Sequence, residues 1–191
     1  LIFTSGINIF ILFGLSVFAL ISLAYLIMYV PKFDYIQSRI FSFFNRDTGT
    51  HNFQSDKAIE SITSGGYFGK GIGEGTLKNR VPEAHTDYII SVISEEFGVV
   101  AIMLILLLFL MFIYMVFKKI NYEKDDKTKL VLIGCVSLIL MQATIHVGVN
   151  IRLFPTTGMT LPFLSYGGSS IVSISILSGI ILNLTKRKIE N

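Results

Sequence analysis

Four long apolar stretches, separated by polar segments, dominate the hydropathy pattern of this chain. They cover residues 7–30, 88–117, 130–149 and 165–184, and each is at least as long as the roughly 20 residues that a helix needs to cross a membrane. Buried helices of a soluble protein are the alternative, but four such stretches leave too little polar sequence to cover them. The pattern therefore predicts an all-α integral membrane protein, a polytopic bundle of about four transmembrane helices with a large extracytoplasmic loop.

The composition strengthens this prediction. Apolar residues make up 52% of the 191-residue chain, charged residues 15%, and the mean hydropathy is +0.66, whereas a soluble domain carries about 25% charged residues. The sequence has no basic stripe of the kind that would indicate nucleic-acid binding. The single cysteine, Cys135, excludes an intrachain disulfide. Because the chain opens at Leu1 without a charged leader, we expect it to be one membrane domain, residues 1–191, of a larger protein.

The positions of the lysines predict the orientation. Residues 118–129 contain five lysines and the tail at 185–191 is also basic, whereas residues 150–164 contain only Arg152. Short loops rich in Lys and Arg stay in the cytoplasm. We therefore expect 118–129 and the tail to be cytoplasmic, and 31–87 and 150–164 to be extracytoplasmic.

The long outer segment has two features of its own. Residues 35–44 have the spacing of a short interfacial helix with Arg39 on its polar side. After the turn-rich residues 47–50, glycines follow at 65, 66, 69, 71, 73 and 75. They match neither a P-loop nor a dinucleotide fingerprint, because Gly71 and Glu74 stand at positions where those motifs need other residues. We favour a tight irregular loop with positive φ angles; the alternative is that its amides and Lys70 hold an anionic ligand.

Acidic residues follow this loop where the chain enters the next apolar stretch. Pro82 can occupy the first turn of a helix, and a polar stripe then recurs at steps of three or four residues: Glu83, Asp87, Ser91, Ser94 and Glu95. Carboxylates at membrane depth are expensive and are functional candidates by default. Asp87 is the strongest candidate, Glu83 is equally consistent with a helix-terminal charge, and Glu95 and Glu96 either pair with cations or mark a wet cavity.

Two further features lie toward the C-terminus. His146 stands in an apolar stretch near Gln142, and we interpret it as an interhelical hydrogen-bonding group rather than a metal ligand. Residues 154–170 combine two prolines, three glycines and many hydroxyls at a membrane boundary. Irregular backbone at such a boundary must be buried in protein or line a watery cavity, so this segment is expected to pack closely or to approach a ligand.

Three motifs together resemble the SEDS family (shape, elongation, division and sporulation). They are Pro82-Glu83-Ala84-His85-Thr86-Asp87-Tyr88-Ile89 with Glu95-Glu96-Phe97-Gly98, Pro155-Thr156-Thr157-Gly158-Met159-Thr160-Leu161-Pro162, and Ser165-Tyr166-Gly167-Gly168-Ser169-Ser170. The glycine loop fits as well, and the second motif is closer to the division branch than to the elongation branch. The chain departs from the family at Leu77, His146 and Arg152, where Gln, Asn and Gly are more usual. None of these departures lies in the acidic motif, so they bear on loop contacts and packing more than on activity.

The resemblance implies a function at the bacterial cytoplasmic membrane. It implies the C-terminal part of a multi-pass peptidoglycan glycosyltransferase that polymerises lipid II into glycan strands during septal cell-wall synthesis. It also implies a class B penicillin-binding protein transpeptidase and other division proteins as partners. The essential acid of the family falls on Asp87.

The implied reaction assigns roles to the nearby charged residues. A sugar 4-hydroxyl attacks an anomeric carbon, and Asp87 is the expected general base. The lipid diphosphate leaving group needs positive charge, either from a divalent cation such as Mg²⁺ or from protein cations. The candidate substrate-binding residues are Lys70, Lys78, Arg80, Glu83 and His85. The alternatives are a lipid II flippase, which suits a multispan protein with intramembrane acids, and a scaffold for division proteins.

Overall fold

The computed structural model describes residues 9–44, 50–81 and 84–186. Within these ranges the secondary structure is entirely helical, which confirms the predicted all-α class. The α-helices are α1 Ile9–Tyr29, α2 Asp34–Phe44, α3 Thr50–Gly65, α4 Leu77–Arg80, α5 Ile89–Tyr122, α6 Asp126–Asn150 and α7 Gly168–Thr185. The chain divides into two compact units, Leu1–Asn52 and Phe53–Asn191, which are described separately.

The first unit is a long helix followed by a sharply turned short one. Helix α1 ends before Pro31, which opens a 3₁₀ turn, and Val30 is extended, as expected for a residue that precedes proline. The helical segments on either side of this break form an angle of 93°. A helix, α2, is present at the position predicted for a short interfacial helix, and in it the Arg39 guanidinium lies 4.5 Å from the ring centre of Tyr35.

Three helices of the second unit form the apolar bundle. Helices α5, α6 and α7 are long and apolar enough to cross a membrane, and the bent pair of the first unit makes a fourth span if it is counted as one. Their shared core consists of buried residues from all three helices: Val116, Ile120, Leu132, Cys135, Val136, Ile139, Ile174 and Ile181. This arrangement agrees with the predicted bundle of about four spans.

The connection between α5 and α6 is shorter than the predicted loop of residues 118–129. Helix α5 continues to Tyr122 and α6 begins at Asp126, because Asp125 caps α6 through its carboxylate, which accepts hydrogen bonds from the amides of Lys127 and Thr128. The Thr128 hydroxyl donates to the same carboxylate at 2.6 Å and is the main cause that lowers the pKa of Asp125. The lysines therefore lie mainly on the helix ends.

Helix α3 was not predicted from the sequence. Its buried face carries small side chains at steps of three or four residues, namely Ser55, Ala58, Ser61 and Gly65, which is one face of a helix. Ala58 packs in a second core cluster with Tyr88, and the hydroxyls of Ser55 and Tyr88 lie 3.3 Å apart. This stripe of small residues was the signal for the helix, and it fixes α3 against the start of α5.

The predicted topology can be tested with fusion reporters. If the lysines set the orientation, a reporter placed beside Asp125 will be cytoplasmic and a reporter within residues 65–78 will be external. The measurement is the activity of a compartment-sensitive enzyme fused at each position. The opposite pattern would overturn the orientation of every span.

Candidate functional site

Asp87 lies in a turn that leads into α5. The prediction that a helix begins at Pro82 is wrong for the described part of this segment, because residues 84–88 form turns and the helix starts at Ile89. Pro82 and Glu83 lie outside the described residues. The polar stripe predicted for one helix face therefore starts only at Ser91, and Asp87 is placed by other contacts.

The side-chain amide of Asn150, at the end of α6, occupies the place of a helical hydrogen bond in this turn. Its Nδ2 donates to the Asp87 carbonyl at 2.9 Å, and its Oδ1 accepts from the Ser91 amide at 3.2 Å and from the Ser91 hydroxyl at 2.8 Å. In a continuous helix the Ser91 amide would bond to the Asp87 carbonyl directly. Asn150 is fully buried, so α6 determines where α5 begins and where Asp87 sits.

The segment that follows α6 holds the two residues before Asp87. The Ser165 hydroxyl donates to the Thr86 carbonyl at 2.8 Å and accepts from the Leu161 amide at 2.8 Å. The Tyr166 amide donates to the His85 carbonyl at 3.2 Å. The backbone carbonyls of three consecutive residues, 85 to 87, are thus bound by groups from α6 and from residues 165–166.

The Asp87 carboxylate lies beside a glycine of the 155–162 motif. A Cβ atom placed on Gly158 would be 3.9 Å from Asp87 Oδ2, and Gly158 has a φ of +70°. Asp87 is half-buried, and the absence of a side chain at Gly158 leaves room next to its carboxylate. The two motifs that were singled out in the sequence therefore meet at this acid.

We expect Asn150→Asp to loosen this site. The new carboxylate would place an oxygen, where the amide NH₂ was, against the carbonyls of Asp87 and His146, both of which Asn150 Nδ2 now binds at 2.9 Å. Two buried acceptors would lose their donor, which should lower the free energy of unfolding by about 1–3 kcal/mol. Thermal unfolding in detergent measures the change. Asn79→Asp on the exposed face of α4 is the control, and an equal effect of the two would refute the proposed role of Asn150.

Helix α5 is interrupted about two and a half turns after its start, at Gly98, by the glycine loop. Gly98 has a φ of +81°, and the amides of Val99 and Val100 donate to the carbonyls of Gly66 and Tyr67. In return, the Lys70 and Gly71 amides donate to the carbonyls of Glu95 and Glu96, at 2.9 and 3.1 Å respectively. A Cβ atom on Gly98 would collide with the Tyr67 carbonyl. The predicted positive φ angles of this loop are confirmed at Gly66, Gly69, Gly71 and Gly73.

A buried carboxylate, that of Glu95, joins this loop to α4. Its Oε1 accepts from Lys70 Nζ at 2.9 Å and from the Thr76 hydroxyl at 3.1 Å, and its Oε2 accepts from the Leu77 amide at 2.9 Å. The side chain of Glu95 is 2% exposed and that of Lys70 is 37% exposed. Of the two interpretations given for Glu95, the structure shows pairing with a cation, and it also places Glu95 in the lining of a cavity.

A polar cavity of about 230 Å³ adjoins this carboxylate. Its charged lining comprises Lys57, Glu60, Lys70, Arg80 and Glu95. Lys57 forms an ion pair with Glu60, and its hydrogen bond is the main cause that lowers the pKa of Glu60, with smaller contributions from the charges of Arg80 and Lys70. With three cations against two carboxylates, the described charged lining carries a net positive charge.

The residues predicted to bind substrate therefore fall into two places. Lys70 and Arg80 line the polar cavity, whereas the exposed His85 lies in the turn that contains Asp87. The side chain of Lys78, like Glu83, lies outside the described part of the chain. The supporting roles of Asn150 and Ser165 were not predicted; the only signal was a polar residue at the end of an apolar stretch and a serine beside the 155–162 motif.

His146 is bound differently from the prediction. Its Nδ1 lies 2.8 Å from the carbonyl of Met159, in the segment after α6, rather than near a group of another helix. Gln142 donates to the Thr160 carbonyl at 2.9 Å and lies 3.1 Å from the hydroxyl of Ser170 in α7. Gln142, His146 and Asn150 thus form a polar face of α6 that organises the motif segments. Among the described residues, no group of three or more His, Cys, Asp or Glu side chains is placed to hold a metal ion.

Comparisons with known proteins identify relatives by sequence. A sequence model of the FtsW, RodA and SpoVE cell cycle proteins matches residues 1–190. A probable peptidoglycan glycosyltransferase FtsW of Enterococcus hirae is 34% identical, and the match covers 94% of this chain and 48% of that protein. Its counterpart in Caulobacter vibrioides is 36% identical, covering 82% and 40% respectively. The chain thus spans about half the length of the curated relatives that it matches.

A solved structure shows the same fold. This structure, reported as "Structural coordination of polymerization and crosslinking by a peptidoglycan synthase complex", is 24% identical and superimposes with a TM-score of 0.71 over 91% of this chain and 48% of that one. The fold and the site together define a polytopic membrane protein of the SEDS type. Its features are the helical spans, the helix broken by the glycine loop and the half-buried acid at the head of a span. The chain belongs to the FtsW/RodA/SpoVE family of cell cycle proteins.

Proposed function

We propose that this chain forms the C-terminal part of a peptidoglycan glycosyltransferase that polymerises lipid II during septal cell-wall synthesis. The relatives named above are probable peptidoglycan glycosyltransferases of the FtsW type, and family membership covers nearly the whole chain. The observation that carries the proposal is the way in which Asp87 is held by residues from other parts of the chain. Its carbonyl is bound by Asn150 and its carboxylate lies beside Gly158, so a carboxylate is held in place where two motifs meet.

In the proposed mechanism Asp87 is the general base. The oxygen of a sugar 4-hydroxyl attacks the anomeric carbon of a second sugar, the bond from that carbon to the lipid diphosphate breaks, and the hydroxyl proton passes to the Asp87 carboxylate. A positioned carboxylate contributes about 10²–10⁴ to the rate of such a step. The hydrogen bonds to residues 85–87 favour this role, because they hold the backbone of the base in one geometry.

The cations of the outer segment would bind the anionic part of the substrate. Lys70 and Arg80 line a cavity with a net positive lining. Because Lys57 and Lys70 are paired with Glu60 and Glu95, Arg80 supplies the excess positive charge of the described lining, which suits a diphosphate or an adjoining polar group. Lys78, Glu83 and His85 remain proposed contacts on the strength of the family motif. A divalent cation such as Mg²⁺ remains a candidate for the same charge, but no step of the proposed mechanism is assigned to it.

The proposed setting is the bacterial cytoplasmic membrane at the division septum. The apolar spans α5, α6 and α7 support a multi-pass membrane location. We propose the septal site and two kinds of partner, a class B penicillin-binding protein transpeptidase and other division proteins, on the basis of the similarity to FtsW-type relatives. A transpeptidase would crosslink the strands that this protein makes.

Polymerisation of labelled lipid II by the purified full-length protein with its transpeptidase partner tests the proposal. Glycan strands that lengthen with time and that depend on the protein would support it. A protein that moves lipid II between leaflets of vesicles without forming strands would instead be a flippase. A protein that does neither, yet is required to recruit division proteins, would be a scaffold.

A further inference from the structure

We propose that residues 67–72, the crest of the glycine loop, insert into the interfacial layer of the membrane and anchor the outer segment to it. The crest presents three large apolar side chains to the surroundings: Tyr67 is 78% exposed, Phe68 85% and Ile72 80%. Exposed apolar clusters of this kind mark interaction surfaces. The kind of partner can be inferred from the point at which the loop is attached and from the ion pair that its lysine forms.

The attachment places the crest at the boundary of the hydrocarbon layer. The apolar part of α5 runs from Phe97 to residue 117, which is about 30 Å of helix and matches the hydrocarbon thickness. Gly98, where the loop is attached, therefore lies at one edge of that layer. The hydrogen bonds from Val99 and Val100 to the loop carbonyls are backbone bonds, so the crest cannot rise away from this level without breaking them.

The charge of the crest is directed inward. Lys70, the cation among residues 67–72, donates to the buried Glu95, so its charge is neutralised on the protein side while the apolar side chains point away. Next to the crest, Phe97 and Val100 are also exposed, at 45% and 52%, so that the apolar surface continues into the span. Tyr and Trp side chains are enriched at this depth of membranes, so the exposed Tyr67, together with the apolar surface that continues into the span, favours a lipid surface over a second protein.

The anchor would set the height of the polar cavity above the membrane. Because Lys70 belongs to both the crest and the cavity lining, the cavity is held close to the level of the lipid headgroups. This inference does not depend on the proposed reaction, since insertion can be measured on an inactive protein.

Depth-dependent fluorescence quenching tests the insertion. In the full-length protein with its native cysteines replaced by serine, Phe68→Cys is labelled with the environment-sensitive dye NBD and reconstituted into vesicles of phospholipid brominated near the head of the acyl chain. We expect a blue-shifted emission and strong quenching. The control is Glu74→Cys, at an exposed polar position of the same loop, which should show neither.

A second labelled position and a measurement with the transpeptidase partner added complete the experiment. Ile72→Cys should behave like Phe68→Cys, which covers the case in which either variant alone folds poorly. Equal quenching at positions 68 and 74, or no quenching at positions 68 and 72, would overturn the proposal. A blue shift that occurs only after the transpeptidase partner is added, without bromine quenching, would show a protein-docking surface and would also overturn it.

Discussion

Asp87→Asn should lower the rate of glycan synthesis by about 10²-fold or more while protein level and partner binding persist. The amide keeps the shape of the side chain but cannot accept the proton of the attacking hydroxyl. The hydrogen bonds that hold this segment involve the backbone carbonyls of residues 85–87, so the substitution should leave them intact. Polymerisation of labelled lipid II by the full-length protein with its partner measures the effect.

Two further variants separate charge from position. Asp87→Glu retains the charge but advances it by about 1.5 Å, and a misplacement of that size can itself cost about 10²-fold. Glu83→Gln, a neighbouring acid of the same motif, should be milder. If Asp87→Asn retains near wild-type synthesis while Glu83→Gln abolishes it, the base has been assigned to the wrong carboxylate. An Asp87→Asn protein that still polymerises but no longer moves lipid would favour a transporter.

Glu95→Gln should produce the largest loss of stability. Each carboxylate oxygen of Glu95 now accepts from donors, Oε1 from Lys70 and Thr76 and Oε2 from the Leu77 amide. In either orientation the glutamine NH₂ would face a donor, and Lys70 would lose its counter-charge. Breaking a fully buried ion pair costs about 3–5 kcal/mol; because Lys70 is partly exposed, we expect about 2–3 kcal/mol, measured by thermal unfolding in detergent.

The glycine loop also contains a matched control for this variant. Glu74→Gln removes a charge from an exposed position of the same loop and should change stability by only a few tenths of a kcal/mol. Combining Lys70→Met with Glu95→Gln should cost less than the sum of the two single changes, because both remove one shared interaction. Strict additivity of the two, or a Glu95→Gln protein as stable as the Glu74→Gln protein, would contradict this role for Glu95.

The spans could be predicted because their signal is local. An apolar stretch of about 20 residues has few alternatives to a membrane helix, and the stretches at 88–117, 130–149 and 165–184 each coincide with a long helix of the structure, α5, α6 and α7 respectively. The same local rules failed for residues 84–88, because the helix that propensity permits there is replaced by turns that are bound by partners distant in sequence. Asn150, 63 residues after Asp87, provides the group that replaces the helical bond.

The candidate site was predictable as a set of residues but not as a geometry. Asp87 stood out because a carboxylate at the head of an apolar stretch is costly. In contrast, nothing in the spacing showed that Glu95 and Lys70, 25 residues apart, would pair. The same holds for Arg152, whose φ is +60° and whose ion pair with Asp56 of α3 is visible only in the fold.

The break of α5 at Gly98 has a consequence for the opening motions of the protein. Two amides of the helix, those of Val99 and Val100, and two amides of the loop, those of Lys70 and Gly71, bond across the same junction. None of these four groups can be released to water without parting the loop from the helix. Local fraying of α5 at this junction and detachment of the loop are therefore one cooperative event with a single opening free energy. The stability of α5 next to Gly98 is thus set by the hydrogen bonds that join it to the glycine loop.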